Sequence, residues 1–289
     1  MARIRIGLSG WSYNEWRGDF YPGDLPRARE LAYAATAFDT LEINGSFYSL
    51  RRPSDYQAWR AAAPHGFLFA IKGSRFITHN KKLRDIGTPL ANFFASGVLE
   101  LQEMMGPFLW QLPANLAFDE GRVERFLKLL PHDTNSLAAL ARRHDRRVSG
   151  RSRLTPDRNR RVRHVLEPRH ESFFTPAAVR LLRRHGTALA FSHARDWPYT
   201  EEITAGFVYV RLHGPDEPYA SPYEADALDR WANRIRRWQQ AEQPDDARRI
   251  TDRTPPVRKA RDVYVYFDND QHGHAPRNAS LLRRRIRDT

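Results

Sequence analysis

The sequence predicts an α/β fold of the TIM-barrel-like (β/α)8 class, built as a single domain over residues 1–289. Three observations predict it. Short apolar runs, each about the length of one strand, alternate with stretches of helical periodicity from one end of the chain to the other. Most of those runs turn polar or charged only at their C-terminal ends, where a parallel α/β barrel gathers its functional groups. The clearest is Phe207-Val-Tyr-Val-Arg-Leu-His213, in which Arg211 and His213 stand two residues apart and so share one face of a strand.

The first strand is set by alternation: Ile4, Ile6 and Leu8 against Arg5, Gly7 and Ser9. An aromatic-rich loop follows over 10–16, closed by Phe20-Tyr-Pro-Gly23, and then a helix over 27–37. Thr40-Leu-Glu-Ile-Asn44 is the second strand. Leu41 and Ile43 face one way and Thr40, Glu42 and Asn44 the other, a division that suits a barrel strand. Ser54 caps a helix reaching residue 62, which Pro64 stops. The third strand, 67–72, ends on Lys72, and the loop over 73–79 after it is rich in hydrogen-bonding groups. A helix over 90–105 leads to a fourth strand over 108–113, and Val123, Phe126, Leu127 and Leu130 mark the helix after that.

Residues 132–162 read as a basic inserted segment between strands four and five, within the same domain. From Arg142 to Arg163 there are ten Arg against two Asp, which supplies +8 of the chain's formal net charge of +13. The fifth strand, 163–167, delivers Glu167 ahead of Arg169 and His170. Thr175 caps a helix with Pro176 at its first position, and His185-Gly186 ends it. Strand six covers 187–192 and strand seven is the Arg211–His213 run. Ser221-Pro-Tyr-Glu224 reads as a capping box opening a helix whose Leu228, Trp231, Ile235 and Trp238 form one apolar stripe. A polar, Pro-containing loop over 243–261 precedes the eighth strand, 262–267, which ends in Asp268-Asn-Asp270. Leu281, Leu282 and Ile286 mark a short last helix.

Composition narrows the function classes. The absence of cysteine excludes disulfides, thiolate metal sites and a cysteine nucleophile. No apolar run approaches the ~18 residues of a membrane span, and the first residues enter a strand pattern rather than a secretory leader, so a soluble, cytoplasmic protein with no membrane partner is expected. The chain has no GxGxxG, Walker A or nucleophile-elbow motif, which leaves dinucleotide, P-loop and α/β-hydrolase chemistry unsupported. The net positive charge favours anionic partners, either a small anionic or phosphorylated substrate or nucleic acid.

Several motifs occur in a fixed order along the chain. They are Gly10-Trp11 with Trp16-Arg-Gly-Asp-Phe-Tyr-Pro22, Leu41-Glu-Ile-Asn-Gly-Ser-Phe-Tyr48, and Lys72 with Arg75-Phe-Ile-Thr-His79. Then come Gln111-Leu-Pro113, Glu167-Pro-Arg-His-Glu-Ser172, Tyr209-Val-Arg-Leu-His-Gly214 and Val263-Tyr-Val-Tyr-Phe-Asp-Asn-Asp270. Together they resemble the domain-of-unknown-function 72 (DUF72, YecE-like) family from Ile4 to the C-terminus. The resemblance implies an uncharacterised TIM-barrel-like protein and implies no reaction. Two positions depart from the pattern: Gly206 in place of an acidic residue before strand seven, and Pro168 in place of an apolar residue after Glu167.

Read as chemistry, Glu42, Glu167 and His213 are the candidate catalytic groups, the two glutamates as a general acid/base pair. Lys72, Arg75, Arg169 and Arg211 are candidates to hold an anion. Trp11, Tyr13, Phe47 and Tyr48 are aromatic walls able to stack on a ring. Asn44, Thr78, His79, Gln111, His170, Asp268 and Asn269 complete the expected substrate contacts. Glu42, Glu167, His213 and Asp268 are also oxygen and imidazole ligands of the kind a divalent metal accepts. No fixed-spacing metal motif accompanies them, so the cofactor stays open. The expected function is an enzyme with a basic pocket at the strand ends, acting on an anionic substrate by phosphodiester hydrolysis or sugar isomerisation. The alternative is a non-catalytic nucleic-acid-binding TIM-barrel protein that uses the basic segment.

Overall fold

The structure, a computed structural model, describes residues 2–287, and Met1, Asp288 and Thr289 lie outside the described residues. Nine strands alternate with helices along the chain. They are β1 (Ile4–Ser9), β2 (Thr40–Ile43), β3 (Leu68–Lys72), β4 (Met105–Gln111), β5 (His164–Glu167), β6 (Ala188–Leu189), β7 (Phe191–His193), β8 (Phe207–Leu212) and β9 (Asp262–Phe267). This is the α/β, TIM-barrel-like class that the sequence predicts. The chain divides into two compact units, residues 1–42 with 174–289 and residues 43–173.

In the first unit β1 lies between β2 and β9, and β8 lies between β9 and β7, with every pairing parallel. Register is set by close approach. A Cβ on Gly7 would stand 1.8 Å from the Thr40 carbonyl oxygen, so only glycine lets β1 come against β2 there. Side chains then alternate in character along each strand. Ile6, Leu8, Leu41, Val208, Val210, Val263 and Val265 are buried apolar residues, whereas the intervening positions carry Thr40, Glu42, Tyr209, Arg211 and Tyr266, also buried. The hydroxyls of Thr40 and Tyr266 are 2.7 Å apart, and the Tyr209 and Tyr266 rings are 5.0 Å apart. The inner face of these strands is therefore a ladder of hydroxyls and charge rather than an aliphatic core.

In the second unit β4 pairs with β3 and β5, both parallel. A bulge between Phe69 and Ile71 shifts the first register. Phe93, Phe94, Phe108 and Trp110 make its aromatic core. His164 is buried in that core, where it accepts from Trp110 Nε1 at 3.2 Å and donates Nε2–H to the Pro131 carbonyl at 2.7 Å. Burial holds its pKa down at about 3, so it is a neutral structural imidazole.

The structure corrects five details expected from the sequence. Strand six is two short strands, β6 and β7, broken at Ala190; Thr204 Oγ1, accepting from Leu189 N and donating to the Thr187 carbonyl, ties the first piece in place. The helix expected over 90–105 is Gly87–Ala95, ended by Gly97 at φ 125°, and a 3-10 segment, Val98–Met104, follows. Ser54 does not cap its helix: Pro53 opens Pro53–Ala62, and the Asp55 carboxylate accepts from Arg52 N at 2.9 Å. Ser221 likewise caps nothing helical. Its hydroxyl accepts from Asp216 N and Glu217 N in a tight loop, and the helix starts at Ala225 and runs to Gln239. The last helix, His274–Arg287, is fourteen residues long rather than short.

Other expectations hold. The stripe Leu228, Trp231, Ile235 and Trp238 is buried, with Trp238 5.1 Å from Phe191 of β7. Thr175 caps Pro176–Arg184 by accepting from Ala178 N. The basic segment is ordered: Thr134–Ala141 is a helix capped by Asp133, and Thr134 Oγ1 donates to the Arg158 carbonyl. Among the described residues no helix is long and apolar enough to cross a membrane.

Candidate functional site

Two clusters of polar side chains form at strand ends, one in each unit. In the first unit the centre is Arg211. Tyr209, Arg211 and His213 follow one another at the two-residue period of β8 and its continuation, so they present one face. The register of β1 with β2 sets Ser9 beside Glu42. The Glu42 carboxylate accepts from Ser9 Oγ at 2.8 Å, from Tyr209 OH at 2.7 Å and from Arg211 Nη2 at 2.9 Å. The same Nη2 lies 2.8 Å from Ser9 Oγ and 2.8 Å from Asp268 Oδ2. Glu42 and His213 are 0 % exposed and Arg211 1 %, so the Arg211–Glu42 ion pair is fully desolvated.

His213 continues the chain of contacts. Its Nδ1 is 3.0 Å from Asp268 Oδ2 and its Nε2 is 3.4 Å from Arg211 Nη1. A guanidinium can only donate, which makes Nε2 the acceptor and leaves the ring proton on Nδ1, facing the carboxylate. The rings of Trp197 and Tyr219 cover the imidazole at 4.7 Å and 5.4 Å.

One cation thus serves two carboxylates, and a third acid stands beside them. Burial first, and then the negative charge of Asp268, hold the Asp270 carboxyl well above the ordinary carboxylate range, so it keeps its proton. Tyr13 is next to this pair and donates its hydroxyl to the Ser9 carbonyl at 2.6 Å. Asn269 points elsewhere. Its amide donates to the Ser221 carbonyl and to Asn278 Oδ1, pinning the loop that follows β9. Trp11 is half-buried, and its carbonyl accepts from Tyr21 OH at 2.5 Å.

In the second unit the strand ends carry Lys72, Arg75 and Arg169 together with Glu167. Lys72, the last residue of β3, places its ammonium 4.6 Å from the centre of the Phe47 ring. Phe47 lies 5.1 Å from both Tyr48 and His79. Asn44 opens the short helix Gly45–Tyr48 that carries these aromatics, and Tyr48 is 68 % exposed. Thr78 Oγ1 is 2.8 Å from His79 Nδ1 in the turn Phe76–Asn80, and Arg75 is exposed at its start. Burial, followed by the charges of Lys72, Arg75 and Arg169, holds the His79 imidazole below its ordinary pKa, so it is neutral at pH 7.

On β5, Glu167 is fully buried and accepts from Arg169 Nη2 at 3.0 Å. Its register partner on β4 is Gln111. His170 Nδ1 accepts from Ser172 N at 3.2 Å and also lies 2.8 Å from Ser172 Oγ, which in turn accepts from Phe118 N. His170 therefore ties down a loop. Among the described residues no group of three or more His, Asp or Glu side chains is placed to hold a metal ion.

The sequence-predicted residues thus fall into two sets: Trp11, Tyr13, Glu42, Arg211, His213, Asp268 and Asn269 in the first unit, the remainder in the second. Sequence reasoning missed Ser9, Tyr209 and Asp270. Tyr209 was legible from the two-residue period that links it to Arg211, and Ser9 from its place at a strand end. Nothing in the sequence gives the Asp270 proton, which depends on burial beside Asp268.

A family model described as "Protein of unknown function DUF72" matches residues 5–289. The UPF0759 protein YecE of Escherichia coli strain K12 is 24% identical over 244 residues, which is 83% of this chain and 84% of that protein. A DUF72 family protein from Thermotoga maritima MSB8 has a crystal structure similar to this one at a TM-score of 0.72, with 19% identity over 98% of this chain and 99% of the other. One from Enterococcus faecalis V583 gives a TM-score of 0.69 with 14% identity, over 99% of this chain and 96% of that one. At these identities the likeness is one of fold.

Two outcomes are expected of the Arg211 cluster. Arg211→Met leaves two buried carboxylates without their cation, so urea denaturation should show a loss of about 3–5 kcal/mol, with Glu42→Gln costing less. Asp270 gives a pH signature. Its folded pKa lies above the ordinary value of 3.8, so the stability its proton confers is complete below that value and is lost as pH rises through the folded pKa. Asp270→Asn should therefore be more stable than the parent chain at neutral pH, with the difference closing as pH falls toward 4. A pH-independent difference would show that Asp270 is ionised in the native state.

Proposed function

The chain belongs to the DUF72 family, and we propose that within it this protein is an enzyme that grips a phosphorylated or otherwise anionic substrate and works on it by acid/base chemistry. The observation that carries this reading is the neutral His79 imidazole set among Lys72, Arg75 and Arg169. Lys72, Arg75 and Arg169 place three cations about His79, and arginine forks suit a phosphate or carboxylate. A neutral imidazole beside bound phosphate is a proton acceptor whose basicity rises as the anion arrives, because the anion offsets the cations that hold its pKa down. Both phosphodiester hydrolysis and isomerisation of a phosphorylated sugar use that combination.

Glu42 and Glu167, expected as the acid/base pair, fit positioning roles better. Glu42 already accepts three hydrogen bonds and Glu167 is tied to Arg169, so each holds an arginine in place. Phe47 gives Lys72 a fixed seat, and Tyr48 stands exposed beside it as a stacking surface.

The titration of His79 tests the reading. Followed by NMR, its ring should titrate below that of an exposed histidine, and inorganic phosphate should raise its pKa and bind about tenfold more weakly to Lys72→Met or Arg75→Ala. An ordinary His79 titration that phosphate leaves unmoved would sink the proposal.

One observation favours a second reading, that of a nucleic-acid-binding protein. Arg142, Arg143, Arg146 and Arg158 are exposed on the ordered basic segment and form no ion pair among the described residues, whereas Arg147, Arg153 and Arg160 are paired with Asp145, Glu100 and Asp157. If that surface binds nucleic acid, affinity for duplex DNA or RNA should fall steeply between about 50 and 200 mM salt, in proportion to the phosphates contacted. Replacing those four arginines by Gln should flatten the slope, while Glu42→Gln should not. Absence of binding at low salt would dismiss this reading.

A further inference from the structure

We propose a second ligand site in the first unit, built for a planar heteroaromatic phosphate of the nucleoside monophosphate class. It is a cavity of about 770 Å3 between the end of β7, the loop after it and the helix Ala225–Gln239. That volume is in the usual range for small-molecule sites, roughly 300–1,000 Å3. None of its lining residues belongs to the anion-gripping group around His79.

Three features of the lining define the ligand. The first is aromatic: Trp197, Tyr199 and Trp231 line the cavity around His193, whose ring is 5.5 Å from Tyr199 and 5.3 Å from Trp231. The second is a surplus of cation. Arg234 is committed to Glu201, at 2.7 Å, and to Asp246, and Arg195 lies 3.7 Å from Asp196. Arg230 and Arg248 also line the cavity, are exposed, and have no carboxylate partner among the described residues. Two arginines that lack a counter-charge beside an aromatic wall ask for an anion joined to a ring.

The third feature is a polar group between the two. The Tyr223 hydroxyl accepts from Gly214 N at 3.2 Å, donates to the His193 carbonyl at 3.3 Å and lies 2.8 Å from His193 Nδ1. Burial first, and then the nearby charge of Arg248, hold His193 down at about pKa 4, so the ring is neutral. The Nε2 edge of this neutral imidazole offers a hydrogen bond to a polar atom of the ligand's ring. Inorganic phosphate alone would leave the aromatic wall bare, and an uncharged ring would leave Arg230 and Arg248 without a counter-charge. A nucleoside monophosphate satisfies both.

Isothermal titration of the full chain with AMP, adenosine and inorganic phosphate tests this. AMP should bind at least tenfold more tightly than either half. The exposed double variant Arg230→Ala/Arg248→Ala should lose that tenfold and bind AMP no better than adenosine. Trp197→Ala should weaken AMP and adenosine alike, with thermal melts confirming that the variants fold. Lys72→Met should leave AMP binding intact, which separates this site from the anion grip. The proposal is overturned if AMP binds no better than phosphate, if the arginine pair can be removed without effect, or if Lys72→Met abolishes binding.

Discussion

A buried guanidinium must be surrounded by groups that accept from it, and Arg211 imposes that demand on the ends of four strands. A charge at 1 % exposure is untenable without partners, so the ends of β1, β2, β8 and β9 are each required to supply something. β1 supplies the Ser9 hydroxyl, β2 the Glu42 carboxylate, and the residue after β9 the Asp268 carboxylate. β8 supplies Tyr209, which completes the satisfaction of Glu42. Such a network specifies register, because a one-residue slip of any strand would turn its polar group away and strand a charge.

Protonation follows burial. The Asp270 carboxyl keeps its proton first because it is buried and then because the negative charge of Asp268 lies beside it. In the second unit burial again comes first, and the charges of Lys72, Arg75 and Arg169 then add to it in keeping the His79 imidazole neutral. A cluster whose charges are closed among themselves is suited to hold geometry, and one with charge left over is suited to bind.

What was legible in the sequence follows from this difference. Strand ends were readable because a two-residue period that turns polar only at its last positions is what a buried strand opening onto a pocket requires. That pattern led to Glu42, Lys72, Glu167 and Arg211. The roles were not readable, since whether a glutamate is free or saturated depends on what faces it across a strand pair: Ser9 and Tyr209 lie 33 and 167 residues from Glu42. Boundaries failed for local reasons. Ser221 looked like a helix cap, yet its hydroxyl closes a loop onto Asp216 and Glu217, so the helix begins four residues later. The strand expected over 187–192 was broken at Ala190 by a tertiary tie through Thr204, fifteen residues beyond Leu189.

The net charge of +13 divides along the same line. Many arginines here are internal ties: Arg17 to Glu30, Arg183 to Glu202, Arg234 to Glu201 and Arg283 to Asp39, three of these acids being buried. Such pairs contribute to folding specificity and nothing to ligand capture, so a chain can be arginine-rich without being an anion trap. Other arginines have no carboxylate partner among the described residues, and they are clustered: Arg230 with Arg248 beside an aromatic wall, and Arg142, Arg143, Arg146 and Arg158 on an ordered surface. Each group asks for a different anion, because neighbouring aromatics select a ring-bearing ligand whereas bare exposed arginines select only charge. Where charge remains after pairing, rather than how much the chain carries, is what a binding proposal for this protein has to rest on.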